Sequence, residues 1–164
     1  MKRTISTIGY EGSTIESFVA ALRHALIDVR DLPLSRKKGF SKNSLAQILA
    51  DADIEYVHLK GLGDPKDGRL AARAGKYDLF QKIFGRHMQT DIALRDLEIA
   101  ADLVKERRAC LMRFECNHGH CHRSIVAERL AQMTQLSVTP LAVQNSRGAV
   151  LAPGSFAQPV HVGI

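Results

Sequence analysis

The chain has 164 residues, a typical length for one domain with its own buried core. Hydrophobic residues make up 45% of the chain and charged residues 24%, a balance that excludes a disordered or fibrous protein. Lys and Arg outnumber Asp and Glu by 23 to 17, a net charge of +6 that permits phosphate or nucleic-acid binding without requiring it.

Targeting and membrane signals are not evident in the sequence. No apolar run approaches the roughly 20 residues of a membrane helix, and the basic N-terminus has no apolar region typical of a signal peptide. The three cysteines, Cys110, Cys116 and Cys121, are too few and too clustered for a disulfide framework. We therefore expect a cytoplasmic protein that makes no membrane contact.

In the first half of the chain, predicted strands alternate with predicted helices. The apolar segments 4–9, 25–30 and 54–59 are each predicted to form a buried strand. Ser13 and Glu16 have the spacing of a capping box, which predicts a helix after the first strand. Ser41 or Ser44 is expected to cap a second helix.

The second half continues the alternation after a loop rich in turn-forming residues at 61–68. An irregular helix is predicted over 69–87 and a second helix, begun by Thr90, over 90–108. A strand over 109–115 comes next, and then a helix over 123–133 with Val126, Leu130 and Met133 inward. The last predicted strand covers 137–143. Pro140 predicts that this last strand lies at an edge of the sheet, because proline cannot donate to a neighbouring strand.

This order predicts a single-domain α/β fold with a mostly parallel sheet and helices on both faces, a Rossmann-like three-layer arrangement. We assign residues 1–144 to the domain and 145–164 to a C-terminal tail, which is apolar and without clear period. Ligands of such sheets bind beyond the carboxyl ends of the strands. Tyr10, Arg30, His58 and Glu115 follow or end predicted strands, so we expect them to open into one crevice.

Residues 116–123, with the sequence CNHGHCHR, follow a predicted strand and open a predicted helix. A metal site is one interpretation, although the spacing contains no Cys-x₂-Cys pair and would need His58 or Glu115 as a further ligand. A reactive thiol is the second, because helix-terminal amides and Arg123 would favour the thiolate of Cys121 or Cys116. The third is a structural loop with a buried cysteine.

The arginines also allow two interpretations. Asp28 and Arg30 lie two apart on one strand face and form either a pair that orders the loop or part of a clamp for phosphate. Convergence of Arg30, Arg36 and Arg123 on one sheet edge favours the clamp. His58 and Tyr56 are candidates for proton transfer. For His58, a structural role as a core histidine bonded to the backbone is an equally good interpretation.

Five separated blocks of the sequence resemble the domain-of-unknown-function family 488: TIGYEGS, DVRDLPLSR, GF, YVHLKGLG and FECNHGHCHRSIVAERL. The resemblance extends over about residues 4–143. It places the family pattern on Gly9, Tyr10, Asp28, Arg30, Pro33, Ser35, Arg36, Phe40, Tyr56, His58, Leu62, Gly63, Glu115, Cys121, His122 and Arg123. Arg113 stands where the family has a cysteine, and Cys116, His118 and His120 fall outside the pattern. The resemblance implies a fold and a site but no established reaction.

The sequence thus predicts an enzyme, a hydrolase or transferase acting on a phosphorylated or otherwise anionic small molecule, with no cofactor and no metal. The expected catalytic residues are Cys121, His58 and Glu115, and the expected anion-binding residues are Tyr10, Arg30, Ser35, Arg36, Tyr56, His122 and Arg123. The alternatives are a nucleic-acid-binding module without catalysis and a metal-binding protein that uses the Cys and His residues of 116–122. The sequence leaves the oligomeric state open.

Overall fold

A computed structural model of the chain describes residues 3–22, 25–114, 122–144 and 150–151. Five strands form one parallel sheet in the order β3-β2-β4-β1-β5. Their bounds are Thr4–Gly9 (β1), Ala25–Asp28 (β2), Tyr56–His58 (β3), Ala109–Arg113 (β4) and Ser137–Pro140 (β5). The predicted α/β fold with a parallel sheet is confirmed.

Helices cover both faces of this sheet and make the three layers. The described helices are Ile15–Ala21 (α1), Lys42–Asp51 (α2), Lys66–Arg73 (α3), Tyr77–His87 (α4), Asp91–Glu106 (α5) and His122–Thr134 (α6), with a 3₁₀ turn at Lys60–Leu62. Successive strand residues point to opposite faces. Leu26 packs with α1 and α2, whereas the next residue, Ile27, packs with α3 to α6, so each face has its own apolar core.

The start of α1 differs from the expected capping box. Thr14, not Ser13, caps the helix, and its hydroxyl oxygen accepts from the backbone N–H of Ser17 at 3.1 Å. The hydroxyl of Ser13 instead donates to the backbone oxygen of Tyr10 at 2.8 Å. Ser13 is therefore part of the turn that follows β1, which leaves the cap to the next residue. At α2 Ser41, one of the two expected serines, occupies the N-cap position, but its side chain bonds to Ser35 and makes no capping hydrogen bond.

Two other expectations about helices were wrong. The segment 69–87 forms two helices, α3 and α4, because Gly75 adopts a positive φ of 71° between them, and α3 begins inside the predicted loop at Lys66. Met133 is 44% exposed, unlike the buried Val126 and Leu130. It lies in the last turn of α6, one residue before the helix ends.

The last strand of the sheet is an edge strand, as Pro140 predicts, and it pairs with β1. Beyond it, Val143–Gln144 (β6) pairs antiparallel with Val150–Leu151 (β7) in a separate small sheet. Residues 145–149 and 152–164 lie outside the described residues, so the assignment of a C-terminal tail stays a prediction. No helix in the described part of the chain is long and apolar enough to cross a membrane.

Candidate functional site

A buried ion pair organises the backbone just past β2. The side chains of Asp28 and Arg30 are 0% and 6% exposed. Arg30 donates from Nε to Asp28 Oδ1 at 2.9 Å and from Nη2 to Asp28 Oδ2 at 2.7 Å, the bidentate geometry of an arginine–carboxylate pair. Its Nη1 donates to the backbone oxygen of Phe40 at 2.7 Å and to the hydroxyl oxygen of Tyr10 at 3.2 Å. These bonds leave the guanidinium a single N–H for any other partner.

The carboxylate of Asp28 is equally occupied. Besides the two guanidinium bonds, it accepts the backbone N–H of Arg30 at 3.1 Å and the hydroxyl of Tyr56 at 2.6 Å. Burial alone would lower the pKa of Arg30, but the hydrogen bonds and charge of Asp28 outweigh it, and the pKa lies above its ordinary value. Burial, reinforced by the Asp28 charge, raises the pKa of Tyr56, so its phenol stays protonated. The polar groups of this network bond mainly to one another, so the network holds the backbone beneath the site in place.

Two histidines bind the backbone that this network holds in place. The carbonyl oxygen of Arg30 accepts from Nε2 of His58 at 2.7 Å, and the carbonyl oxygen of Val29 accepts from Nε2 of His122 at 2.9 Å. Because a carbonyl oxygen can only accept, both rings carry their proton on Nε2. His122 lines the pocket described next, whereas His58 and Tyr56 do not.

A pocket of about 300 Å³ opens above this network, at the carboxyl edge of the sheet. The residues that line it come from the strand ends, the segment after β2, the loop before α3, and α3 and α6: Tyr10, Arg30, Asp31, Leu32, Leu34, Ser35, Arg36, Asp64, Arg69, Arg73, Arg113, Phe114 and His122. Five of them are arginines and two are aspartates. The expectation that Tyr10 and Arg30 open toward the same crevice agrees with this lining.

The arginines of the pocket differ in what they already bind. Arg30 is matched by Asp28, and Arg69 donates to Asp31 at 2.8 Å and to the backbone oxygen of Asp64 at 2.6 Å. Arg36 and Arg73 are exposed and form no ion pair with any residue that the structure describes. Within the described part of the chain, two cations thus face the pocket without a carboxylate paired to them, an arrangement that favours a positive potential.

His122 orients a further arginine of the pocket. With Nε2 donating to Val29, the Nδ1 of His122 carries a lone pair, and this atom accepts from Nη1 of Arg113. Burial, and then the charge of Arg113, lower the pKa of His122 well below its usual value. The imidazole therefore stays neutral and serves as an acceptor that fixes the Arg113 guanidinium at the end of β4.

The segment between β2 and α2 forms the rim of the pocket and is tied to itself. Ser41 Oγ accepts from the backbone N–H of Ser35 at 3.0 Å and donates to its carbonyl at 3.1 Å, and Ser35 Oγ accepts from the N–H of Lys37 at 3.1 Å. The bond from Arg30 to Phe40 fastens the segment to β2. Gly63 supports it from the side, because a Cβ there would lie 2.3 Å from the backbone nitrogen of Asp31.

The remaining site residues expected from the sequence fall into two groups. Arg123 is only 1% exposed and does not line the pocket. Cys121 and Glu115 lie outside the described residues, as do Cys116, His118 and His120. Among the residues that the structure describes, no three His, Cys, Asp or Glu side chains form a group that could hold a metal. Cys110 is buried in β4, and burial raises the pKa of its thiol.

Six lining residues that matter for the chemistry were not predicted from the sequence: Arg69, Arg73 and Arg113, and the apolar Leu32, Leu34 and Phe114. Arg69 and Arg73 have the i, i+4 spacing of one helix face, which was a usable signal once a helix was placed at 66–73. Arg113 had been noted only because it replaces a cysteine of the family pattern, although it ends a predicted strand.

Comparison with protein families supports the resemblance found in the sequence. The model of the family described as "Domain of unknown function DUF488" matches residues 15–130, well over half of the chain. No curated protein and no solved structure matches. The matched residues include Asp28, Arg30 and His122, whereas Tyr10 precedes them. The chain therefore belongs to the DUF488 family.

Proposed function

We propose that the pocket binds a small phosphorylated or otherwise anionic substrate and that the protein is an enzyme, a hydrolase or transferase, with Cys121 as its nucleophile. The observation that carries the proposal is the convergence of five arginines and only two acids on one pocket at the carboxyl edge of a parallel sheet. Ligands of open α/β sheets bind at this edge.

The charge pattern supports an anion as the ligand. Arg36 and Arg73 face the pocket from different elements, the rim segment and α3, so a phosphate or carboxylate between them would be bound from two sides. Guanidinium groups match the planar oxygen pairs of such anions and form charge-assisted bonds with them. The guanidinium of Arg113, fixed by the neutral His122, is held ready and loses little conformational freedom on binding.

The shape of the pocket favours a small molecule over nucleic acid. A concave volume of about 300 Å³ is at the lower end of the range for small-molecule pockets. A nucleic-acid backbone would instead bind along an extended basic surface and need several phosphate contacts.

Cys121 supplies the proposed chemistry. It directly precedes His122 in the sequence, and His122 begins α6 and lines the pocket. A thiol attacks as the thiolate, and a positive pocket favours that form. Attack of the thiolate on a phosphate ester would form an S–P bond and break the ester P–O bond, which gives a phosphocysteine, and the leaving oxygen would take its proton from water. A water molecule or an acceptor hydroxyl would then break the S–P bond and restore the thiolate.

Anion binding is tested by the thermal stability and calorimetry of the protein with sodium phosphate at constant ionic strength. The substitutions Arg36→Gln and Arg73→Gln should each weaken phosphate binding several-fold, because each removes one cation from the pocket. Arg86→Gln is the matched control, since Arg86 is an exposed arginine of α4 that does not line the pocket. Equal phosphate affinity in all variants would refute the site. Salt-steep binding of random RNA without competition by phosphate would favour a nucleic-acid module instead.

The role of the thiol needs its own experiment. Iodoacetamide should alkylate Cys121 faster than a free cysteine at neutral pH, and phosphate should slow this reaction. Cys121→Ser should keep phosphate affinity while losing turnover of a phosphate ester. Alkylation at an ordinary rate, unaffected by phosphate, would remove Cys121 from the mechanism and leave the anion pocket as a binding site.

A further inference from the structure

Part of the pocket wall is apolar, and an inorganic anion would leave this part uncovered. Of the ten large hydrophobic side chains that are exposed in the described part of the chain, three line this pocket: Leu32, Leu34 and Phe114. Single exposed hydrophobic residues are ordinary on a protein surface. Three on one pocket that also contains arginines indicate a surface that a ligand covers.

The Phe114 ring is held in place, although it is 44% exposed. It makes an edge contact with the ring of Tyr10, with centroids 5.3 Å apart and planes at 76°, and Tyr10 is itself stacked on Phe40 at 4.4 Å. The backbone oxygen of Phe114 accepts from the N–H of Glu11 at 2.8 Å. Phe114 therefore extends a buried aromatic cluster into the pocket, and a ligand ring could pack on it at little entropic cost.

The cationic and apolar groups belong to neighbouring parts of the lining. Arg113 directly precedes Phe114, and Arg36 follows Leu34 by two residues. The rim segment thus brings leucine side chains and a guanidinium to the pocket. The end of β4 brings an arginine and a phenylalanine to the same pocket.

We propose that the ligand is an aromatic monophosphate, an aryl or nucleoside phosphate, with its phosphate among the arginines and its ring against Phe114 and the two leucines. This inference rests on the proposed anion site and adds the class of organic group that the anion carries. The volume of about 300 Å³ has room for one such molecule. Ring stacking and burial of leucine surface then contribute affinity that inorganic phosphate lacks.

The test compares inorganic phosphate with phenyl phosphate by calorimetry at pH 8, where both are mainly dianions. The native protein should bind phenyl phosphate about tenfold more tightly. Phe114→Ala should reduce the phenyl phosphate affinity to near that of inorganic phosphate, whose own affinity stays unchanged. Phe114→Leu should recover only part of the difference, because it restores apolar area without a ring.

Two more variants keep the result interpretable. Leu34→Ala changes a side chain that is 76% exposed, so it leaves the fold intact and should weaken phenyl phosphate alone. Leu79→Ala, at an exposed leucine of α4 outside the pocket, is the control. Equal affinity of the native protein for both phosphates, or a phenyl preference that survives both Phe114→Ala and Leu34→Ala, would overturn the inference while leaving the anion site. Failure to bind either phosphate would refute the proposed function as well.

Discussion

Replacing Asp28 by alanine should destabilise the protein severely. The substitution leaves the Arg30 guanidinium 6% exposed and without its carboxylate, and it removes the acceptor of the Tyr56 hydroxyl. Breaking a buried pair by removing one partner costs about 3–5 kcal/mol. Tyr56 is half-buried, so its hydroxyl can hydrogen-bond to water instead, and the lost bond to Asp28 adds little to the cost. We expect a loss of about 4 kcal/mol, a large part of the roughly 5–15 kcal/mol by which domains are stable.

Urea unfolding measures this loss as a lower midpoint at an unchanged slope. Arg30→Met in the same background removes the uncompensated charge, so the double variant should be more stable than the sum of the single losses implies. Asp102→Ala is the matched control, because its pair with Lys105 is exposed and its removal should change little. A loss below about 1 kcal/mol in Asp28→Ala would refute the view that this pair holds the end of β2.

Three further predictions concern pH, backbone packing and thiol reactivity. Because the pKa of His122 is lowered on folding, the unfolded chain binds more protons in acid, so stability should fall below about pH 6.5 by up to ~1.4 kcal/mol per pH unit. Urea unfolding at several pH values should show that the stability of His122→Gln falls less steeply with decreasing pH. The same pH dependence in both proteins would contradict the role given to His122. Gly63→Ala should lower the melting temperature and phosphate affinity together, since a Cβ there lies 2.3 Å from the backbone nitrogen of Asp31. Cys110 should resist a thiol reagent until denaturant is added, and mass spectrometry of the labelled native protein would reveal any earlier reaction.

The alternation of strands and helices was readable from the sequence because each element carries its own period. The strand at 4–9 carries no charged residue and is rich in β-branched side chains, as suits a strand covered on both faces, and it forms β1 with the expected bounds. Tyr10 and Arg30 could be placed at the pocket for the same reason, since both follow such strands. Exact helix starts were less accessible, because Ser13 and Thr14 are both good capping residues and only the turn after β1 decides between them.

The state of each arginine could not be read from the sequence. Arg30 belongs to the family pattern and was expected to bind the anion, yet four of its N–H groups are bonded to Asp28, Tyr10 and Phe40. Phe40 is ten residues away along the chain, and its carbonyl reaches Arg30 only because the rim segment folds back toward β2. Arg73 lies on α3, which the ion pair of Arg69 with Asp31 joins to the segment after β2, and a contact between residues 38 apart cannot be read from local sequence.

The buried pair of Asp28 and Arg30 is linked to Arg113 of the pocket through the backbone and His122. Asp28 and Arg30 fix the chain at residues 28–30, and the carbonyl of Val29 in that stretch determines which nitrogen of His122 carries the proton. The free lone pair of His122 then receives the Arg113 guanidinium. A charged pair with little capacity for a ligand can therefore set the position of a cation at the pocket wall. Residues that match the family pattern, such as Asp28, therefore need not contact the ligand, and in the proposed site selectivity rests on the arginines, leucines and Phe114 of the pocket wall.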